Sequence, residues 1–284
     1  DLLENLLSSI PQDKKIQTIV IDDQSEEIHL QVIEKLKSRF NFEFYKNDRI
    51  KNAGTCRNIG LEKAKGKWIM FADSDDYFVE GFYEKVSKYF DKEIDGVFFS
   101  PTSWYIDTGK VASRHLSFQK MVKDYLKNRN KKNEFSLRYR FIVPWSRMIK
   151  KEVIDDNQIK FDEILTSNDV MFITKIGYFM KNFEVSKDVV YCITKRYGSL
   201  TTNLREDFFD IRLQTRLSRI NFLKTHLPKE ELETIMKPFI RNLASQMLLR
   251  SFIMFGFKKF INVNSLYRKE NIKWFRLIYL NPIK

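Results

Sequence analysis

Lys67–Asp76 reads KWIMFADSDD, and this stretch decides the fold class. Trp68, Ile69, Met70, Phe71 and Ala72 form an apolar run of the length expected for a buried strand. The run discharges directly into Asp73, Ser74, Asp75 and Asp76. Three carboxylates at one strand end repel one another, and a cation relieves that repulsion. The plain alternative is a solvated turn capping a helix near Glu80–Phe90. Ligands of open α/β sheets bind outside the carboxyl ends of strands, so the position of these aspartates weighs more than their number.

Upstream, Gln17–Ile21 is a second strand, and it too ends on acids, at Asp22-Asp23-Gln24-Ser25. Leu2, Leu3, Leu6, Leu7 and Ile10 fall at helical spacing, and Glu26–Phe40 is an amphipathic helix. Phe42–Lys46 reads as a strand, Asn47–Thr55 as a polar loop, and Arg57–Lys65 as a helix stopped by Gly66. Helix Glu80–Phe90 and strand Gly96–Ser100 follow the central stretch. This alternation predicts an α/β fold with a parallel, doubly wound sheet. Right-handed crossovers would set both acidic strand ends on one edge, and so in one site.

From Trp104 to Arg140 the pattern weakens, and Lys127–Asn133 is a solvated charge run. A strand is predicted over Phe141–Ile149, a helix with Asp169 in its first turn, and a last strand over Val185–Ile193. Beyond Arg205 only helical patterning remains. The expected organisation is a domain over residues 1–204 and a helical region over 205–284.

Composition narrows the class. Across 284 residues, 43% hydrophobic content with 31% charge describes a globular chain. Cys56 and Cys192 are too few for a disulfide framework, which points to a reducing compartment. The three histidines have no metal-ligand spacing, and no run reaches the length of a membrane span. The net charge of +13 is uneven: from Arg205 onward 16 Lys/Arg face 7 Asp/Glu, a net +9.

Four motifs then occur in a known order. They are IVIDDQS (Ile19–Ser25), NAGTCRNIGLEKAKGKWIMFADSDD (Asn52–Asp76), PWSRMIKKEVI (Pro144–Ile154) with FDE (Phe161–Glu163) and NDVMF (Asn168–Phe172), and KRYGSLTT (Lys195–Thr202). Together they resemble the family-2 glycosyltransferases of the GT-A fold, from about Leu2 to Thr201. The resemblance implies a Rossmann-like, mostly parallel sheet flanked by helices, here with a helical C-terminal extension. It implies an inverting, metal-dependent transfer from a nucleotide-diphosphate sugar, with UDP-sugar the expected donor, to a glycan or lipid-linked glycan acceptor.

By the same resemblance Asp75 is the main ligand of Mn²⁺ or Mg²⁺, with Asp73 beside it and also facing the ribose. Asp23 faces the base, and Asp22, Asn52 and Arg57 line the same cleft. Lys195 and Arg196 clamp the diphosphate, with Gly198 as a hinge. Trp145 and Asp76 meet the acceptor, and Asp169 is the general base. Plainer readings stand beside these: Arg57 as a helix-surface ion pair, Trp145 as core, Lys195 and Arg196 as surface charges, Asp169 as a helix-terminus carboxylate. Two departures matter. Asn168 stands where the family usually has glutamate, which should leave the base less elevated in pKa. The family also opens on a strand, beside Gln17–Ile21, that precedes the helix on which this sequence begins.

Leu248–Lys284 interleaves aromatic and basic residues, with Glu270 its one acid. That mixture suits an anionic membrane surface, and implies a cytoplasmic protein held peripherally on the inner face of the cell membrane. A helical layer packed on the catalytic domain is the alternative. No nucleic-acid-binding module is present, so nucleic acid is not an expected partner. An inactive, membrane-associated scaffold is the competing function. An aspartate-based phosphohydrolase is rejected, because Tyr77 stands where that chemistry needs Thr or Val.

Overall fold

The structure is a computed structural model that describes residues 2–195 and 205–272. The chain forms two compact units, Asp1–Thr202 and Asn203–Lys284. The first opens with α1 (Leu2–Ser8), whose Leu6 and Leu7 are buried. Then come β1 (Ile19–Asp22), α2 (Glu27–Lys37), β2 (Glu43–Lys46) and α3 (Ala53–Lys63). α3 starts four residues before the predicted Arg57, inside what reads as loop. Asn52 explains it: its side chain accepts from the Thr55 amide at 2.9 Å and caps the helix.

The unit continues through β3 (Trp68–Ile69), β4 (Tyr77–Phe78), α4 (Phe82–Ser87), β5 (Gly96–Tyr105), α5 (Leu116–Lys127) and α6 (Lys131–Phe135). After a π-turn at Ser136–Arg140 come β6 (Arg147–Lys150), α7 (Lys151–Asp156), α8 (Asp169–Phe179) and β7 (Phe183–Lys195). The expected strand over Phe141–Ile149 is therefore much shorter. Pro144 has no amide to donate, and Ser146 sits at φ 56°, which breaks the extended backbone.

The sheet is mixed, and it is split. β1 and β2 pair in parallel as one sheet, and β3-β6-β5-β7-β4 form the other. In the second sheet β5 and β7 run parallel, whereas β3–β6, β5–β6 and β4–β7 are antiparallel. Strand–helix alternation reports local crossovers only, so the antiparallel partners from the second half of the unit were not anticipated. The core lies around β5 and β7, where Phe98, Phe99, Val190 and Tyr191 are fully buried.

No described strand lies between β1 and β3, where the strand preceding α1 was expected. Two cavities lie along β1 and the Trp68–Ala72 run, of about 420 Å³ and about 460 Å³. Both are lined by Ile19, Val20, Trp68, Met70 and Ala72; the first opens toward α3 and the second toward α1 and α4. Ile19, Val20 and Ile21 are half-buried. The hydrogen-bonded ladder of the apolar run ends at Ile69, paired with Ile149 of β6.

The second unit is all helical among its described residues: α9 (Glu206–His226), α10 (Lys229–Glu231), a π-turn at Leu232–Met236 and α11 (Lys237–Lys269). Gly256 bends α11, with φ 79° and ψ −174°, a conformation that glycine adopts without strain. Lys259 bridges Glu206 at 2.8 Å and Asp210 at 2.6 Å, fastening the far side of the bend to α9. No helix among the described residues is long and apolar enough to cross a membrane.

Candidate functional site

Two strand ends meet at one cavity. Asp23, just beyond β1, and Asp73 and Asp75, beyond β3, line the same about 420 Å³ space with Cys56 and Arg57 of α3. Arg57 is the organising side chain. Its guanidinium donates to Asp73 Oδ1 at 2.6 Å and to Asn168 Oδ1 at 2.8 Å, and lies 5.4 Å from the Phe161 ring centre. A fork of fixed geometry thus joins the aspartate turn to the residue before α8. The ion pair is largely shielded, with Arg57 18% and Asp73 34% exposed.

The approach of α3 to α8 depends on two further residues. A Cβ on Gly54 would lie 2.2 Å from the Asp162 carbonyl oxygen, so only glycine permits the contact. Asn58 clamps the Phe161 backbone from both sides, donating to its carbonyl at 3.0 Å and accepting from its amide at 2.8 Å.

Asp169 opens α8, and its carboxyl is pushed up to about 6. Burial is the main cause, opposed by the positive charges of Arg57 and Arg147 and helped by the negative charge of Asp73. The elevation therefore persists without an acidic neighbour at 168; Asn168 instead supplies an acceptor for Arg57. Arg147 is itself fully enclosed, its guanidinium drawn down to about 9 by burial and held 4.8 Å from the Phe98 ring.

The aspartates of the turn divide by environment. Asp75 is exposed, whereas Asp76 points inward and is 3% exposed. Tyr191 donates to Asp76 Oδ2 at 2.8 Å, and the Thr194 amide donates to Oδ1 at 2.7 Å. Burial pushes the Asp76 carboxyl up to about 7, with Asp73 nearby adding to the rise. The Tyr191 hydroxyl also accepts from the Asp73 amide at 2.9 Å, and the Thr194 hydroxyl donates to the Asp75 carbonyl. β7 thereby braces the whole turn.

This geometry gives no support to an acceptor contact by Asp76, because both oxygens are engaged inside the fold. Trp145 is likewise core: it is 1% exposed and stacks on Tyr191 with ring centres 5.7 Å apart and planes 13° from parallel. Asn52 is 6% exposed and caps α3. Asp22 accepts from the Ser25 amide at 3.2 Å, and Asp23 from the Asn47 side chain at 2.8 Å. Lys195 ends β7 with its ammonium 5.3 Å from the Tyr105 ring centre. Arg196 and Gly198 lie outside the described residues. Tyr191, Thr194 and Gly54 are the residues that sequence reasoning missed; the glycine in NAGTCRN was its only trace of them.

Among the described residues no three His, Cys, Asp or Glu side chains converge on a point that would cage a metal. The donor set nonetheless suits a hard cation carried by a phosphate ligand. Mg²⁺ and its relatives bind through one or two carboxylates plus substrate oxygens, and Asp75 is exposed with Asp73 two residues away.

Comparison with known proteins follows the same lines. The family model of Glycosyl transferase family 2 matches residues 1–157. Poly(ribitol-phosphate) beta-N-acetylglucosaminyltransferase TarS of Staphylococcus aureus (strain Mu50 / ATCC 700699) is 24% identical over 246 residues, 84% of this chain and 41% of that protein. The UDP-Glc:alpha-D-GlcNAc-diphosphoundecaprenol beta-1,3-glucosyltransferase WfaP of Escherichia coli is 38% identical over 95 residues, 33% of this chain and 36% of its own length. The chain thus spans well under half the length of these relatives. Among solved structures, S. aureus TarS 1-349 in complex with UDP-GlcNAc superposes with a TM-score of 0.72 at 21% identity, over 95% of this chain and 78% of that one. The mannosyltransferase PcManGT from Pyrobaculum calidifontis, in complex with GDP-Man and Mn²⁺, gives 0.55 at 12% identity, over 94% and 71%.

Proposed function

From the premise that the chain belongs to glycosyl transferase family 2 and has the GT-A fold, we propose that it is an inverting glycosyltransferase. It moves a hexosyl unit from a nucleotide-diphosphate sugar, a UDP-sugar by analogy with the relatives, to a glycan or lipid-linked glycan acceptor. The observation that carries this reading is the Arg57 bridge, which joins the Asp73–Asp75 turn to the residue before Asp169, a half-buried carboxyl pushed up to about 6.

Asp169 takes the proton of the acceptor hydroxyl as that oxygen attacks the anomeric carbon. The bond from that carbon to the diphosphate oxygen breaks on the opposite face, which inverts the configuration. The nucleoside diphosphate leaves with the bonding pair. Asp75, with Asp73, would hold Mn²⁺ or Mg²⁺, whose charge stabilises the leaving diphosphate when bound. Asp23, which lines the cavity, and Asp22 beside it in the chain would meet the nucleoside, and Lys195 together with Arg196 would offer positive charge to the diphosphate. A lipid-linked acceptor would place the work at the inner face of the cell membrane.

A panel of nucleotide sugars, scored for hydrolysis and transfer with and without Mn²⁺, tests the reading. Metal-stimulated turnover of one donor is expected. Absence of both binding and turnover across the panel leaves the scaffold reading in its place.

A further inference from the structure

α11 is apolar on two opposite faces around its bend. One face carries Ala244, Met247, Leu248 and Ser251 and is buried. The opposite face carries Leu249, Ile253, Phe257 and Ile261, exposed by 59%, 71%, 64% and 48%. Leu249 and Ile253 lie one turn apart before the bend, Phe257 and Ile261 one turn apart after it, and the ring contact between Phe252 and Phe260 joins the two segments across Gly256 into one exposed apolar stripe. Phe257 stacks on Phe260 at 6.1 Å, and Phe252 packs edge-on against the same ring at 6.1 Å, which makes the stripe a built surface. A helix apolar all round needs cover on both sides.

Charge says what the cover is. The 33 residues of α11 include seven Lys/Arg and no Asp or Glu. Lys237 and Lys259 are paired with acids, as Glu233 and the Glu206–Asp210 pair take them up. Lys259 is therefore not one of the free cations that the basic–aromatic pattern led one to expect. Arg250 and Lys258, both exposed and each next in the chain to a residue of the stripe, have no acidic partner among the described residues. A second copy laid face to face would oppose these cations to themselves with no acid on either helix, which disfavours self-pairing.

We propose that this stripe lies in the plane of an anionic phospholipid surface. Leu249, Ile253 and Phe257 enter the acyl boundary, and Arg250 and Lys258 extend to the lipid phosphates. The proposal rests on the reading above in that it holds the enzyme where a lipid-linked acceptor lies, but it concerns a surface that takes no part in transfer.

Flotation of the full chain with vesicles, in the absence of donor, tests it. Vesicles of phosphatidylcholine with about one-third phosphatidylglycerol are compared with phosphatidylcholine alone. Binding to the anionic vesicles only, weakened by salt, is expected. Each basic residue near such a surface is worth roughly fivefold in partitioning, so Arg250→Glu with Lys258→Glu should lower it by at least about 25-fold. Leu249→Ser with Ile253→Ser and Phe257→Ser should lower it by at least about tenfold. Retained helicity and thermal unfolding in both variants separate lost binding from misfolding.

No binding, or equal binding to both vesicles, overturns the proposal. So does loss in the charge variant with none in the apolar variant, which would mean a diffuse attraction. A concentration-dependent dimer abolished by the apolar variant would assign the stripe to a second copy instead. Vesicle binding with no turnover of any donor would remove the transfer reading and leave this surface standing.

Discussion

Asp169→Asn separates a catalytic carboxylate from a structural one, because the two roles predict opposite effects on stability. The folded-state value of about 6 stands well above the ordinary 3.8, so the fold favours the protonated acid. Ionising it costs stability that is absent at low pH and develops as pH rises from about 4 to about 6. The two-unit difference sets an upper bound of about 3 kcal/mol, reduced by the side chain's contact with solvent. Asparagine removes that cost, so the variant should unfold at a higher temperature than the parent at pH 7.5 and lose this advantage near pH 4. Transfer should behave the other way. A positioned general base supplies about 10²- to 10⁴-fold, and that factor should disappear from turnover at saturating donor while donor affinity stays within about twofold. In the parent, turnover should fall about tenfold between pH 7 and pH 5, because the ionised fraction falls from about nine-tenths to one-tenth across a value of about 6. Thermal unfolding, donor titration and a pH–rate profile measure the three quantities. A variant that is less stable, or a flat profile between pH 5 and 7.5, would falsify the assignment of the base.

The other expectations concern the residues around it. Asp75→Ala should leave unfolding unchanged, since the side chain is exposed, and abolish the stimulation of transfer by Mn²⁺; full metal-stimulated activity rules out its role as a ligand. Tyr191→Phe deprives the buried Asp76 oxygen and the Asp73 amide of one partner, at about 1–3 kcal/mol for each group left unpaired. It should lower the unfolding temperature and raise the KM for donor more than it lowers kcat; unchanged stability would mean that the brace is not needed. Gly54→Ala places a methyl group 2.2 Å from the Asp162 carbonyl oxygen, so α3 must move away from the segment that leads into α8. Loss of transfer by at least about tenfold is expected, whereas a fully active variant shows that the close approach is dispensable.

How legible this was from the sequence follows from the range of each interaction. The helices at Leu2–Ser8, Glu27–Lys37 and Asp169–Phe179 and the strand read over Gln17–Ile21 were legible because their signals are periodic and local, whereas α5, α6 and α7 were not read. The antiparallel placement of β6 against β3 was not: Trp68 meets Lys150, and neither neighbourhood names the other. The ladder of the central apolar run was overestimated because its length depends on its partner β6, which pairs with it over Trp68 and Ile69 only. Asp73, Asp75 and Asp76 look alike as letters. The hydroxyl of Tyr191 and the amide of Thr194, 115 and 118 residues away in the chain, hold the third of them inward. Trp145 was ambiguous for the same reason, since an aromatic beside a proline looks equally suited to a sugar face or a core. Arg57 was found through its motif, but its partner Asn168, 111 residues on, was read as a lost charge and proves to be an acceptor.

That last pairing bears on how the base is tuned. A glutamate at 168 would face the same guanidinium with a full negative charge and would compete with Asp73 for it. Asparagine accepts one hydrogen bond from Arg57 and leaves the cation's charge to Asp73 and, through space, to Asp169. The positive charge then opposes the burial that raises Asp169, which limits the rise to about 6 and keeps the carboxylate ionised at pH 7. Glutamate in its place would add a like charge beside Asp169 and draw Arg57 away, and both changes push the base upward. Asn168→Glu should accordingly move the acid limb of the pH–rate profile to higher pH, without loss of turnover on the alkaline side. An acid limb that stays in place would mean that Arg57 serves only the donor turn.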